Sequence, residues 1–119
     1  MTTLLAGTDE DKPELLRPYS TAQDSTGRLL ITDPGAHGVH IFDFERRKYQ
    51  FLKGPRSQQM ESPIDVFCDA NDDVYVSDSE RRKIYVFNVR GRFLRTMKGI
   101  GSDGLVQRHT GTALDRSAG

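Results

Sequence analysis

The sequence repeats itself at an offset of 45 residues, and a repeat of that length constrains the fold more than any other feature. The copy that begins at Pro18 matches a second that begins at Pro63, and a partial third begins at His109 with Asp115 in register, at an offset of 46. The clearest matches between the two complete copies are Pro18 with Pro63, Asp24 with Asp69, Asp33 with Asp78, Val39 with Ile84, Phe42 with Phe87, and Gly54 with Gly99.

Each complete copy contains short apolar runs separated by turn residues, which predicts four strands. In the second copy the runs are IDVFCD, VYVSD, KIYVFNV and RFLRTMKG. The runs VHIF and IYVF are apolar at successive positions, so we expect both faces of those strands to be covered. Four-stranded antiparallel sheets that repeat at this spacing predict an all-β fold of β-propeller blades.

The repeat predicts a single propeller segment of about two and a half blades. Residues 1–17 would supply the outer strand and loop of a preceding blade, residues 18–62 a first complete blade and residues 63–108 a second. Residues 109–119 would supply the inner strand of a third blade. Oligomerisation would complete such a partial propeller.

These motifs resemble the NHL repeat, and the resemblance extends over nearly the whole chain. It is carried by the segment from Pro18 to Asp33, by VYVSD followed by IYVFN, and by Gly91-Arg92-Phe93-Leu94. Ser20 and Asp65 stand where the NHL family prefers glycine, and His109 replaces the proline. The resemblance implies a propeller fold but does not select a function, because one fold hosts many functions.

The composition excludes some function classes. The chain has 17 basic and 17 acidic residues and a formal net charge of zero, whereas a dedicated binder of nucleic acid or anionic membrane needs a basic surplus. Cys68 is the single cysteine, so the chain forms no internal disulfide and lacks the cysteine pairs of a structural zinc site. The apolar stretch Leu4-Leu5-Ala6 is too short for a signal peptide or a membrane span, so we expect a soluble chain, without assigning a compartment.

The conspicuous aspartates recur once per repeat, which favours a structural role. A catalytic carboxylate needs one special environment, but these residues occupy similar settings in each copy. We expect each of them to accept hydrogen bonds from backbone N–H groups in the turn beyond its strand. The residues are Asp24, Asp33, Asp69, Asp78 and Asp115.

The unrepeated residues are better candidates for binding. Asp65 and His109 begin successive inner strands, so we expect them to approach each other near a channel mouth. His37 and His40 are three residues apart, which predicts opposite faces of the sheet and disfavours a shared metal. Cys68 is predicted to be a small buried hydrophobic residue without a nucleophilic role. We predict no catalytic residue, no metal ligand and no cofactor.

The sequence supports one leading function and two alternatives. The leading interpretation is a non-enzymatic scaffold that binds a protein or a small ligand through turns such as PGAHG and SERRK, the latter with Arg81 and Arg82. The resemblance also implies a fragment or subunit of a six-bladed metal-dependent lyase or lactonase. A second alternative is single-stranded RNA binding through basic turns, which the neutral charge and the lack of Trp disfavour.

Two complete blades are fewer than the three units that stacked repeats generally need. We therefore expect VHIF and IYVF to be partly bare on the outward faces of the two blades, and an apolar patch of that kind usually marks an interface. The resulting prediction is a homo-oligomer, with a trimer slightly favoured over a dimer because three such chains give six blades.

Overall fold

The computed structural model describes residues 14–99, and its regular structure consists of eight strands and one 3₁₀ turn. The all-β prediction and the four strands per complete copy are confirmed. The predicted strands near Leu4 and Leu114 lie outside the described residues. The strands are β1 (Thr21–Gln23), β2 (Leu29–Asp33), β3 (Gly38–Asp43), β4 (Lys48–Leu52), β5 (Pro63–Cys68), β6 (Val74–Asp78), β7 (Lys83–Phe87) and β8 (Phe93–Lys98), and the 3₁₀ turn is Arg56–Gln58.

The strands form two four-stranded antiparallel sheets, β1–β4 and β5–β8, each in sequence order. The register follows the repeat: Leu30 pairs with Ile41 in the first sheet, and Tyr75 pairs with Val86 in the second. We call the end of both sheets where Asp33 and Asp78 terminate β2 and β6 the upper end. The opposite end, with the turns that begin at Asp24 and Asp69, is the lower end.

The two sheets pack through faces that are not equivalent to each other under the 45-residue repeat. The inner face of the first sheet and the inner face of the second share one apolar cluster, which also contains Met60 from the connecting loop. A shift of 45 residues carries Leu30 and Ile41 from the inner face of the first sheet to Tyr75 and Val86 on the outer face of the second. The sheets are therefore stacked head to tail. The cluster comprises Leu30, Val39, Ile41 and Leu52 of the first sheet and Val66, Val74, Val76, Tyr85 and Phe87 of the second.

The runs VHIF and IYVF are buried, so the expectation that they would be partly bare is wrong. All eight side chains are at most 8% exposed. In the first sheet the reason is local: the ring centroid of His40 lies 4.9 Å from that of Phe51, and the Phe42 centroid lies 5.3 Å from that of Tyr49. The edge strand β4 thus encloses the outer side chains of β3 with its own aromatic rings.

The large apolar side chains that remain exposed lie at both ends of the sheets. Leu15, Leu16 and Tyr19 are 42%, 57% and 68% exposed toward the upper end. Toward the lower end, Phe44, Val89 and Leu94 are 46%, 39% and 41% exposed. Within residues 14–99, no helix is long and apolar enough to cross a membrane.

Candidate functional site

The lower-end aspartates accept backbone hydrogen bonds in the same pattern in both sheets. Asp24 Oδ1 accepts from the N–H groups of Thr26 and Arg28, at 2.9 and 3.0 Å. Asp69 Oδ1 accepts from the N–H groups of Asn71 and Asp73, at 2.8 and 3.0 Å. Each carboxylate thereby closes the turn that follows its inner strand.

The second oxygen of each lower-end carboxylate has a different partner. Arg28 Nε donates to Asp24 Oδ2 at 2.6 Å, whereas the Tyr75 hydroxyl donates to Asp69 Oδ2 at 3.2 Å. Burial by itself raises the pKa of Asp24, but the hydrogen bonds from Arg28 and Thr26 outweigh it, so this pKa lies below its ordinary value.

At the upper end, Asp78 is buried and accepts four backbone hydrogen bonds. Its Oδ1 accepts from the N–H groups of Ser62, Glu80 and Arg81, and its Oδ2 accepts from the N–H of Glu61 at 2.6 Å. The carboxylate therefore joins two chain segments, namely the linker that enters β5 and the turn after β6. A carboxylate with this many donors is held in one position.

Asp33 occupies the same position in the first sheet with one additional partner. Its carboxylate accepts from the N–H groups of Leu16, Arg17 and Ala36, at 2.8, 2.7 and 3.2 Å. His40 Nε2 lies 2.8 Å from Asp33 Oδ2, and because a carboxylate only accepts, the imidazole is the donor.

His40 connects Asp33 to Tyr49 in a chain of side-chain hydrogen bonds that the sequence did not lead us to expect. His40 Nδ1 lies 2.9 Å from the Tyr49 hydroxyl, and His40 is only 2% exposed. Burial by itself raises the pKa of Asp33. The hydrogen bonds from His40 and from the N–H groups of Leu16 and Arg17 lower it by more, so the net pKa is below its ordinary value. The pairing of Asp33 with Gly38 places Asp33 and His40 on one face, which is the signal that could have predicted their contact.

The two histidines line one cavity, although His37 lies in the turn before β3 and not in a strand. His37 has a left-handed backbone with φ 63° in the turn before β3, so the alternation of a strand does not apply to it. The cavity is a depression wide open to solvent, with a volume of about 440 Å³, at the upper end of the outer face of the first sheet. Its lining includes His37, His40, Leu16, Tyr49, Phe51 and Glu14.

The structure brings His37 and Arg81 to the same residue, Glu61. His37 Nδ1 lies 2.7 Å from the Glu61 carbonyl oxygen, and Arg81 Nη2 lies 3.6 Å from Glu61 Oε1. Arg82 is exposed in the adjoining turn with φ 57°. Glu61 connects these candidates across the two sheets, and sequence reasoning missed it because it does not belong to a repeated motif.

Asp65 lies on the outer face of the second sheet, in the row that pairs β5 with Ser77 of β6. Partial burial raises its pKa, and no side chain or N–H group within residues 14–99 donates a hydrogen bond to its carboxylate. His109 and Asp115 lie outside the described residues, so the approach of His109 to Asp65 stays a prediction.

Cys68 is half-buried and packs against the central apolar cluster. Burial, followed by the nearby charges of Asp24 and Asp72, raises the pKa of its thiol to about 12. At neutral pH the sulfur is therefore a protonated thiol with little nucleophilic character.

The basic residues are divided between the two ends of the sheets. Arg46 and Arg47 lie in the lower turn between β3 and β4, whereas Arg81 and Arg82 lie in the upper turn between β6 and β7. These two clusters are therefore separated by the length of the strands. Within residues 14–99, no group of three or more His, Cys, Asp or Glu side chains is arranged to hold a metal ion.

Comparison with known proteins adds no assignment. No protein-family model matches the chain, and no curated protein is significantly similar to it.

Proposed function

We propose that the chain is a non-enzymatic interaction module made of two β-propeller blades of the NHL type, and that its faces and turns bind other protein surfaces. The observation that carries this proposal is the head-to-tail packing of the two sheets. Such packing leaves at each end one outer face that no other described sheet covers, although the β3 and β7 side chains on those faces are at most 8% exposed. An array of this kind is extended by adding a further sheet.

The hydrogen bonding of the aspartates supports a scaffold over an enzyme. Asp24, Asp33, Asp69 and Asp78 accept hydrogen bonds from the backbone of their own turns, which fixes them as structural acceptors. A general acid or base needs a proton that can be exchanged with a substrate. The described carboxylates with the most partners therefore contribute to the rigidity of the turns.

The exposed apolar residues Leu15 and Leu16, of which Leu16 lines the cavity on the first sheet, supply the contact surface of the module. They lie at the same end as His37, so apolar and polar contacts are available side by side. Central apolar anchors surrounded by polar groups are typical of protein interfaces.

The test is the binding of the dye anilinonaphthalene sulfonate to the wild-type protein and to the Leu15→Ser/Leu16→Ser double variant. We expect dye fluorescence with the wild type and a loss of most of it in the double variant, with an unchanged circular dichroism spectrum. Val89→Ser is the matched control, because Val89 is 39% exposed but lies in a lower-end turn. Equal fluorescence from the double variant and the control would contradict the assignment of this surface.

A further inference from the structure

The repeat shows what covers the upper end of a sheet in this molecule. Above the second sheet, Met60 is 2% exposed and shares the central cluster with Leu52 and Tyr85. Gly54 follows β4 and lies against Tyr85, since a Cβ on this glycine would be 3.3 Å from Tyr85 Cε2. The end of the last strand of one sheet thus packs on the face of the next.

Within residues 14–99, the first sheet has the same elements without the equivalent cover. Leu15 corresponds to Met60 and His40 to Tyr85, each at an offset of 45. The equivalence is structural, because Leu16 N–H and Glu61 N–H donate to the Oδ2 atoms of Asp33 and Asp78. Yet Leu15 is 42% exposed where Met60 is 2% exposed.

The group equivalent to Leu52 and Gly54 is the end of β8, with Met97 and Gly99. Met97 lies on the outer face of the second sheet, where it pairs with Ile84, and it is half-buried. In the part of the chain that the structure describes, the covering element therefore lies at one end of the stack, and the site without an equivalent cover lies at the other.

Resting on the proposed function, we infer that the upper cavity of the first sheet binds the β8 end of a second copy of this chain. Met97 of one copy lies against Leu15 of the other and against the outer face of its first sheet, which carries His40. The contact is heterologous, because different surfaces of the two copies meet, and repetition closes a ring or extends a filament.

The test is cross-linking between two separately prepared proteins with a short bis-maleimide. One carries Leu15→Cys and the other Met97→Cys, both with Cys68→Ala so that the introduced thiols alone react. We expect the mixture to give a covalent dimer at a yield at least ten times that of either protein alone. Val89→Cys mixed with Met97→Cys is the control and should give little dimer, because Val89 lies at the lower end.

Each other outcome overturns the inference. Dimer from Leu15→Cys alone, at the yield of the mixture, would show an isologous contact between like surfaces. No dimer from the mixture, together with a monomeric mass of the unmodified protein by light scattering over a hundredfold concentration range, would show that a second copy is not the occupant. In that case dye binding that depends on Leu15 and Leu16 would still support the interaction module, so the two proposals can fail separately.

Discussion

The two sheets share one hydrogen-bonded frame but differ in what surrounds their upper ends. Asp33 and Asp78 accept from the same two positions of the preceding segment, through the N–H groups of residues 16 and 17 and of residues 61 and 62. In the second sheet that segment also contributes Met60 to the core, whereas in the first sheet Leu15 remains exposed. The repeated sequence thus determines the hydrogen bonds of the two aspartates, whereas the burial of Leu15 or Met60 depends on whether another sheet packs beside it.

His40 and Tyr85 show the same difference at one repeat position. Tyr85 is fully buried against the first sheet, and its hydroxyl donates to the Gln59 carbonyl oxygen at 3.3 Å. His40 instead bonds to Asp33 and Tyr49 within its own sheet. On the face that packs against another sheet, this repeat position carries Tyr85 in an apolar core. On the outer face of the first sheet it carries His40, whose hydrogen-bond partners belong to the same sheet.

The largest effect is expected from Asp78→Ala. The substitution leaves four backbone N–H groups without their acceptor and releases the linker that places Met60 in the core. We expect the free energy of unfolding to fall by about 3–4 kcal/mol in urea titrations.

Asp69→Ala is the matched control for Asp78→Ala. It removes two backbone hydrogen bonds and one from Tyr75 in a lower-end turn, where water can replace the carboxylate, so a loss of about 1 kcal/mol is expected. Equal losses in the two variants would show that the upper linker does not depend on Asp78.

The substitutions His40→Phe and Tyr85→Phe compare the hydrogen bonds of two equivalent positions, one in each sheet. The first substitution keeps a ring of similar size but deprives buried Asp33 of a charge-assisted partner, for an expected loss of about 1–2 kcal/mol. The second removes one long hydrogen bond and should cost about 0.5 kcal/mol. Thermal and urea unfolding would measure both, and a larger loss in Tyr85→Phe would reverse our ranking of the two networks.

The strands and the turn aspartates could be predicted from the sequence, because they depend on residues that are close together in the chain. The alternation of apolar runs and turn residues gave eight strands, and the recurrence of Asp78 and its counterparts pointed to turn acceptors. The contact of His40 with Asp33 was missed because it needs the hairpin register. The burial of VHIF and the convergence on Glu61 depend on packing of side chains from distant segments, which spacing alone does not reveal.

A smaller effect is expected at the left-handed turn position of the lower end. Gly27 and Asp72 are equivalent and have φ angles of 93° and 65°. No atom lies within 4 Å of a Cβ built on Gly27, so Gly27→Ala tests backbone conformation without a clash, and we expect a loss of about 1 kcal/mol. Asp72→Gly relieves the backbone but removes the hydrogen bonds to Ser25, so its net effect should be near zero. A neutral Gly27→Ala would show that this turn adopts another conformation.

The smallest effect, and the one with the opposite sign, is expected from Asp65→Asn. Because the pKa of Asp65 is raised in the folded state, its ionisation opposes folding: the folded chain holds this proton up to a higher pH than the unfolded chain does. Stability from this residue is thus lost as pH rises from about 4 through the folded pKa. Asp65 is a partly exposed residue, so screening by solvent limits the gain in Asp65→Asn to less than about 0.5 kcal/mol at pH 7.

Asp43→Asn is the control for this sign, because the N–H of Arg46 lowers the pKa of Asp43 and the loss of that carboxylate should destabilise the protein. Urea titrations at pH 7 and at pH 3 would separate the two cases. Asp65→Asn should exceed the wild type in stability at pH 7 and match it at pH 3, where the wild-type carboxyl is protonated in both states. A loss of stability at pH 7 would instead mean that the ionised Asp65 has a stabilising partner.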